Sequence, residues 1–284
     1  MTFFDNTRPG KNVTHGQATF DLPILYFRDD FFGLYFTADY AKVKAGMPSD
    51  NLVPLMLPNG KAIVAVAAFN YVDTTIGPYG EVPVVIPVVY KGKGTRLASV
   101  LPLLMEGWYP RFGLLVQHLP VTKVVARDAG RGEWGYTKFV ADMIFTVTPE
   151  YFQCAMSEKN SPILELHVRK RGFRTTDRKP MITYSVKQER LIKTVIRAFG
   201  LKRVSFLPWG SYVTWGNHPM ADSVRALGIS DKPFMSMYYS ERSAILPSGE
   251  VLESNVRPYE GYLGESRVGI HQTFYTESRP PLAN

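Results

Sequence analysis

The run Ala62-Ile63-Val64-Ala65-Val66-Ala67-Ala68-Phe69 constrains the fold more than any other part of the chain. Residues 61–69 hold no polar side chain after Lys61, the pattern of a strand buried on both faces. With 284 residues, 45% of them hydrophobic and 13% aromatic, the chain has ample material for a sizeable core. The 21 prolines and 23 glycines are spread along its length, which suits many short strands joined by turns better than a helix bundle.

Further strands are read at residues 31–36, 82–90, 121–126, 136–147, 163–172 and 234–246, the last running into a hairpin at Pro247-Ser248-Gly249-Glu250. Pro83 and Pro87 restrict residues 82–90 to an edge or a bulged strand. Two segments read as helices. Thr37 caps one over residues 38–46, ended by Gly46 and Pro48. Over residues 187–199, Leu191, Ile192, Val195, Ile196 and Phe199 share one helical stripe, and Gly200 is a natural stop. The pattern is therefore mainly β, mostly antiparallel, with a few helices. Residues 1–18 read as an N-terminal extension, 19–277 as a single domain and 278–284 as a mobile tail.

The single Cys154 sits in a packed apolar context and reads as a buried, inert thiol. The start shows no basic region followed by an apolar run, and no stretch approaches 18 uncharged apolar residues, so a soluble cytoplasmic protein is the default expectation. The net charge of +8 is densest over residues 167–179. There Leu164, Leu166 and Val168 alternate with Glu165, His167 and Arg169, the pattern of a half-buried strand whose basic edge resists further pairing. No nucleic-acid motif accompanies it, and an anion site is the lesser reading. Five scattered histidines without a cysteine pair argue against a metal site, and His218 before Pro219 is expected to make a structural hydrogen bond. Neither a Gly-x-Ser-x-Gly elbow nor a phosphate loop is present, so no cofactor is expected.

The chemistry is carried by Trp134-Gly135-Tyr136-Thr137-Lys138, which ends an aromatic, small-residue segment with a lysine. A free lysine titrates near ~10.4, and apolar surroundings or a cationic neighbour must lower that value before the amine becomes a nucleophile at neutral pH. The whole of Gly130-Arg131-Gly132-Glu133-Trp134-Gly135-Tyr136-Thr137-Lys138 resembles the catalytic segment of the acetoacetate decarboxylase family. Two further stretches agree with it: Asp73 to Glu81 followed by Val82-Pro83-Val84-Val85-Ile86-Pro87, and Trp215 to Asp222 with the closing strands to Pro247. The resemblance covers residues 20–252. It implies a closed, antiparallel, cone-shaped β-barrel with a few flanking helices, whose dry interior desolvates an inward lysine. It also implies Lys138 as the Schiff-base lysine and Glu81 as the active-site glutamate.

Three departures qualify the resemblance. The family's second lysine is Phe139 here. The arginine that holds the substrate carboxylate in the family falls at Asp29; Arg28 is one residue away and therefore faces the other side of a strand. A further family acid falls in Ala65-Val66-Ala67. Arg28, Arg127 and Arg131 remain candidates for the carboxylate, while Tyr79, Tyr136 and Trp134 are candidates for orienting the substrate. Residues 97–115 form an aromatic insertion, read equally as a pocket wall or lid and as a contact in a homo-oligomer.

These features lead to a Schiff-base lyase acting on a small oxo acid. It either decarboxylates a 3-oxo acid or condenses pyruvate with an aldehyde and dehydrates the product. The alternative is a non-catalytic small-acid-binding protein on the same barrel.

Overall fold

A computed structural model describes residues 3–5, 7–8, 10–92, 101–104, 109–175, 180–259, 261–264 and 273–277, the last stretch by its backbone alone. Its strands run in order β1 (Lys11–His15), β2 (Ala18–Leu22), β3 (Ile24–Ala38), β4 (Leu52–Pro54), β5 (Ala62–Thr74), β6 (Tyr79–Glu81), β7 (Val84–Tyr90), β8 (Phe112–His118) and β9 (Asp142–Val147). They continue through β10 (Tyr151–Glu158), β11 (Ser161–Arg169), β12 (Phe173–Thr175), β13 (Met181–Lys187), β14 (Arg190–Phe206), β15 (Tyr212–Trp215), β16 (Met235–Leu246), β17 (Glu250–Ser254) and β18 (Thr273–Glu277). The helices are α1 (Tyr40–Ala45), α2 (Leu101–Leu104), α3 (Val124–Ala129) and α4 (Pro219–Arg225).

Strands β7, β8, β13, β14, β16, β3 and β5 follow one another in a sheet that closes on itself where β5 pairs β7. This is the expected closed barrel, antiparallel at every seam except β8 against β13, which run parallel. A second sheet, in the order β15-β11-β10-β9-β18, covers one side of it. The apolar run of β5 serves both layers. Ile63, Ala65, Phe69 and Tyr71 belong to the barrel interior, whereas Val64, Val66 and Ala68 join the core beneath the covering sheet. All the residues from Ala62 to Tyr71 are buried as a result.

The outer core is built from Phe32, Leu34 and Phe36 of β3 against Phe145, Phe152, Cys154, Leu164 and Leu166 of the covering sheet. Phe152 stacks on Phe32 with ring centroids 5.1 Å apart and has no solvent exposure. Phe152→Ala is expected to cost about 3–5 kcal/mol, read as a lower urea midpoint with unchanged slope. Cys154 is fully buried, and burial pushes its thiol up, away from the reactive thiolate. Strand β11 alternates as read, with Leu164, Leu166 and Val168 facing the core and His167 stacked on Tyr212 at 5.0 Å, but it is not the expected edge, since it pairs β10 on one side and β15 on the other. His218 accepts from the Met220 amide to cap α4 and pairs with Glu158 at 3.1 Å.

Several expectations are corrected. Residues 187–199 are not a helix: Lys187 ends β13, Gln188 and Glu189 turn the chain with positive φ, and residues 190–199 open β14. The pairs Leu191-Ile192 and Val195-Ile196 match a helical stripe, yet they serve the two faces of a barrel wall: Leu191 and Val195 contribute to the outer core, Ile196 and Ala198 to the interior. β-Branched Ile192, Thr194, Val195 and Ile196 favour that outcome. Residues 121–126 enter α3 instead of a strand, and the strand read over 136–147 begins only at Asp142. Asp39, not Thr37, caps α1 by accepting from the Lys42 amide. Strand β7 is bulged and not an edge; it pairs β8 on one side and both β5 and β4 on the other.

Part of the arm before residue 18 pairs with β2 as a hairpin. Within the insertion, α2 and the start of β8 are described, whereas Trp108 and the tail 278–284 lie outside the described residues. No helix among the described residues is long and apolar enough to cross a membrane.

Candidate active site

Lys138 owes its position to an uncommon backbone sequence. Helix α3 continues into a π-helical turn at Gly130–Trp134, which Gly135 ends at φ +69. A side chain at Gly135 would also meet Lys187 Cβ and the Val186 carbonyl at 2.5 Å, so only glycine serves there. Residues 136–141 then run extended beside 119–121, held by Leu119 N to Thr137 O (3.2 Å), Val121 N to Phe139 O (2.9 Å) and Ala141 N to Val121 O (2.9 Å). Alternation along this stretch sends Tyr136 and Lys138 to the barrel cavity and Phe139 into the outer core. Phe139 packs on Tyr262 and His218, away from the lysine.

Glu81 ends β6, which pairs with β5 in the register Phe69↔Glu81. Val121 bridges to Glu81 on one side and to Val140 on the other, so one short segment registers both functional strands. The outcome is an ion pair of 2.7 Å between Lys138 Nζ and Glu81 Oε2, with both side chains more than nine-tenths buried. Tyr71 donates its hydroxyl to Glu81 Oε1 at 3.2 Å. Tyr26 and Tyr79 share a hydroxyl contact of 3.0 Å, and Tyr136 reaches Thr183 at 2.8 Å. Burial holds the Tyr71 and Tyr79 phenols well above their usual range and pushes Tyr136 up to about 12. These hydroxyls therefore stay protonated and able to donate.

A third charged group reaches the same cavity from β16. Met237 and Tyr239 line the cavity, and past Ser240 and Glu241 so do Arg242, Ala244 and Leu246. The change of parity is produced by bulges on either side of Arg242 and by Glu241 at φ +63. Matching irregularities around Arg28 in β3 keep Asp29 on the inward face, directly opposite Arg242. Arg242 Nε donates to Asp29 Oδ1 at 2.9 Å, and the guanidinium lies 4.8 Å from the Phe69 ring centre. The cavity, of about 120 Å³, is otherwise mostly apolar, with Leu114, Val116, Ile196 and Met237 in its wall. A volume of this order takes a ligand of roughly benzene size.

The structure distributes the sequence-derived candidates unevenly. It brings Lys138, Glu81 and Tyr136 together in the cavity. Arg28, Arg127 and Arg131 are not among the lining residues. Arg127 pairs with Asp128 at 2.8 Å, and Arg131 donates to the carbonyls of Lys138 and Leu263, fixing the backbone of the lysine segment. Tyr79 stands behind Tyr26 with its ring 5.7 Å from Lys138 Nζ, and Trp134 is buried with its indole donating to the Pro247 carbonyl. The sequence reading missed Arg242, Asp29 and Tyr71. A visible signal existed for Asp29, an acid at the position expected for an arginine.

Comparison with known proteins agrees with this architecture. The family model described as acetoacetate decarboxylase (ADC) matches residues 12–256. Among curated proteins, none matches the chain. Among solved structures, the acetoacetate decarboxylase of Legionella pneumophila superposes with a TM-score of 0.61 at 16% identity, covering 88% of this chain and 94% of that one. The enduracididine biosynthesis enzyme MppR complexed with pyruvate gives a TM-score of 0.57 at 14% identity, with coverage of 85% and 92%. An acetoacetate decarboxylase-like enzyme from Sphingomonas wittichii RW1 gives 0.58 at 12% identity, with coverage of 82% and 94%. At these identities the structures share the fold. With a barrel of the same construction and a family model that spans most of its length, the chain belongs to the acetoacetate decarboxylase family.

Proposed function

We propose that the protein is a Schiff-base-forming lyase of small oxo acids. The observation that carries this reading is the 2.7 Å contact between Lys138 Nζ and Glu81 Oε2 inside a cavity that also presents a guanidinium. A lysine beside a carboxylate can pass its proton along that contact and attack a ketone as the neutral amine. Protonated Glu81 then returns the proton as the carbinolamine loses water, leaving an iminium on Nζ. The iminium is the electron sink. With a 3-oxo acid, the electrons of the breaking carbon–carbon bond flow into it as carbon dioxide leaves. With pyruvate, Glu81 removes a methyl proton and the resulting enamine attacks an aldehyde, after which water is lost.

Arg242 replaces Arg28, Arg127 and Arg131 as the proposed holder of the substrate carboxylate. Only its Nε is bonded to protein among the described residues, so its two terminal amino groups are left for a ligand in the cavity. Tyr71 keeps Glu81 oriented toward the amine.

Borohydride reduction after incubation with pyruvate, and separately with acetoacetate, tests the proposal. The expected result is a ligand-sized mass increase on the peptide that carries Lys138, and the acid that labels better selects the branch. A folded protein that gains no mass from either acid would sink the lyase reading in favour of a binding protein.

A further inference from the structure

The charges around the cavity are already balanced before any substrate arrives. Lys138 faces Glu81, and Arg242 faces Asp29, each at hydrogen-bonding distance and each pair buried. A substrate carboxylate placed on Arg242 therefore adds a third negative charge to two existing ones within a space shielded from water, where like charges repel strongly. One oxygen of the resident pair is prepared for relief. Asp29 is fully buried, and its Oδ2 has no hydrogen-bond partner among the described residues.

We propose that Asp29 is the residue that sets the site's selectivity for acids: each carboxylate bound by Arg242 is accompanied by one proton, which is taken up on Asp29. The reaction is balanced simply. The ligand carboxylate and a proton from solvent enter, the ligand takes the two terminal amino groups of Arg242, and Asp29 becomes a neutral carboxylic acid beside Nε. This proposal rests on Arg242 being the carboxylate holder of the proposed function, and it deepens that reading by making substrate affinity depend on a group that does not touch the reacting atoms. Asp29 is thus a positioning residue acting through Arg242.

The groups packed around Asp29 point the same way. From β16 comes Arg242, the cation that favours the carboxylate; from its own strand come the acid Asp30 and the half-buried Arg28; across β5 and β6 stand Tyr71 and Glu81, with Tyr26 beside them. Burial raises Asp29 to about 6 despite Arg242, with Asp30 and Glu81 adding to the rise. The sign follows. Well above pH 6 the empty site holds ionised Asp29, so ligand binding must bring a proton; below about pH 5 Asp29 is already protonated and binding needs none. A carboxylic acid ligand thus binds most readily in mildly acidic solution, whereas a neutral carbonyl compound binds without this dependence.

Calorimetric titration of the intact protein with butyrate, which has a carboxylate and no ketone, tests the proposal separately from Schiff-base formation. In wild type the dissociation constant is expected to rise toward tenfold per pH unit above pH 6.5, the slope of one linked proton. At pH 7.5 the binding heat is expected to change between phosphate and Tris in proportion to one proton taken up. Asp29→Asn is expected to flatten the pH profile and to bind butyrate at least tenfold more tightly at pH 8. The buffer comparison needs no variant, so the test survives an Asp29→Asn protein that fails to fold. A flat wild-type profile with no buffer dependence, or no butyrate binding at pH 5.5, would overturn the proposal. Borohydride trapping reports independently: trapping without proton-linked binding leaves the lyase and removes the role of Asp29, while proton-linked binding without trapping leaves the carboxylate subsite and removes the lyase.

Discussion

Lys138→Ala is expected to abolish covalent capture of any oxo acid together with turnover, and Glu81→Gln to lower turnover by about 10²–10⁴-fold while leaving capture in place. The two effects separate because the two side chains enter the chemistry differently. The lysine forms the bond, and no other described amine lines the cavity. The glutamate only moves protons, so given time the iminium still forms without it. Glu81→Gln also removes the carboxylate that neutralises a buried ammonium 2.7 Å away. An unpartnered buried ammonium is costly, so the lysine is expected to release its proton, which keeps the amine able to attack. Paired assays read the difference: initial rates, and labelling of the Lys138 peptide after prolonged incubation with borohydride. If labelling of Glu81→Gln falls as far as its rate, the iminium does not form without Glu81 and the separation of the two roles fails.

What could be read from the sequence depends on how local the cause is. The apolar run of β5 announced a strand with two buried faces, because its residues pack on one layer or the other, with Ala67 in the cavity wall. The lysine segment was legible through its resemblance, and the structure places Lys138 Nζ 2.7 Å from Glu81 Oε2. β14 was misread because a barrel wall between two cores needs apolar residues on both faces, and their doublets imitate a helical stripe. Arg242 was hidden for a different reason. Its inward direction is created by bulges on β16, and those depend on cross-strand register, which no local pattern encodes. Arg28 lies outside the cavity wall, between two irregularities in the register of β3 with β5.

Gly130→Ala is expected to leave the protein folded and to lower turnover by about 10²-fold or more. Gly130 adopts φ −65 and ψ −43, a helical conformation that alanine prefers to glycine, so the backbone itself loses nothing. The added methyl, however, would sit 2.5 Å from both Cδ and Cε of Lys138. Carbon atoms do not approach so closely, and the lysine stem must move by about 1 Å to restore ordinary contact distances near 3.5–4.0 Å. Its neighbours restrict the direction of that move. The Lys138 carbonyl is held by Arg131 and its amide by Tyr136 O at 2.8 Å, so the displacement falls on the side chain and carries Nζ away from Glu81. A shift of this size in a reacting group is enough for a hundredfold loss. Thermal unfolding followed by circular dichroism, beside borohydride labelling, checks both halves of the expectation. A melting temperature equal to or above wild type with little label on the Lys138 peptide supports it. Full labelling would show that the lysine stem has room elsewhere and that Gly130 serves only the turn; a lowered melting temperature would place the strain in the fold and not in the site.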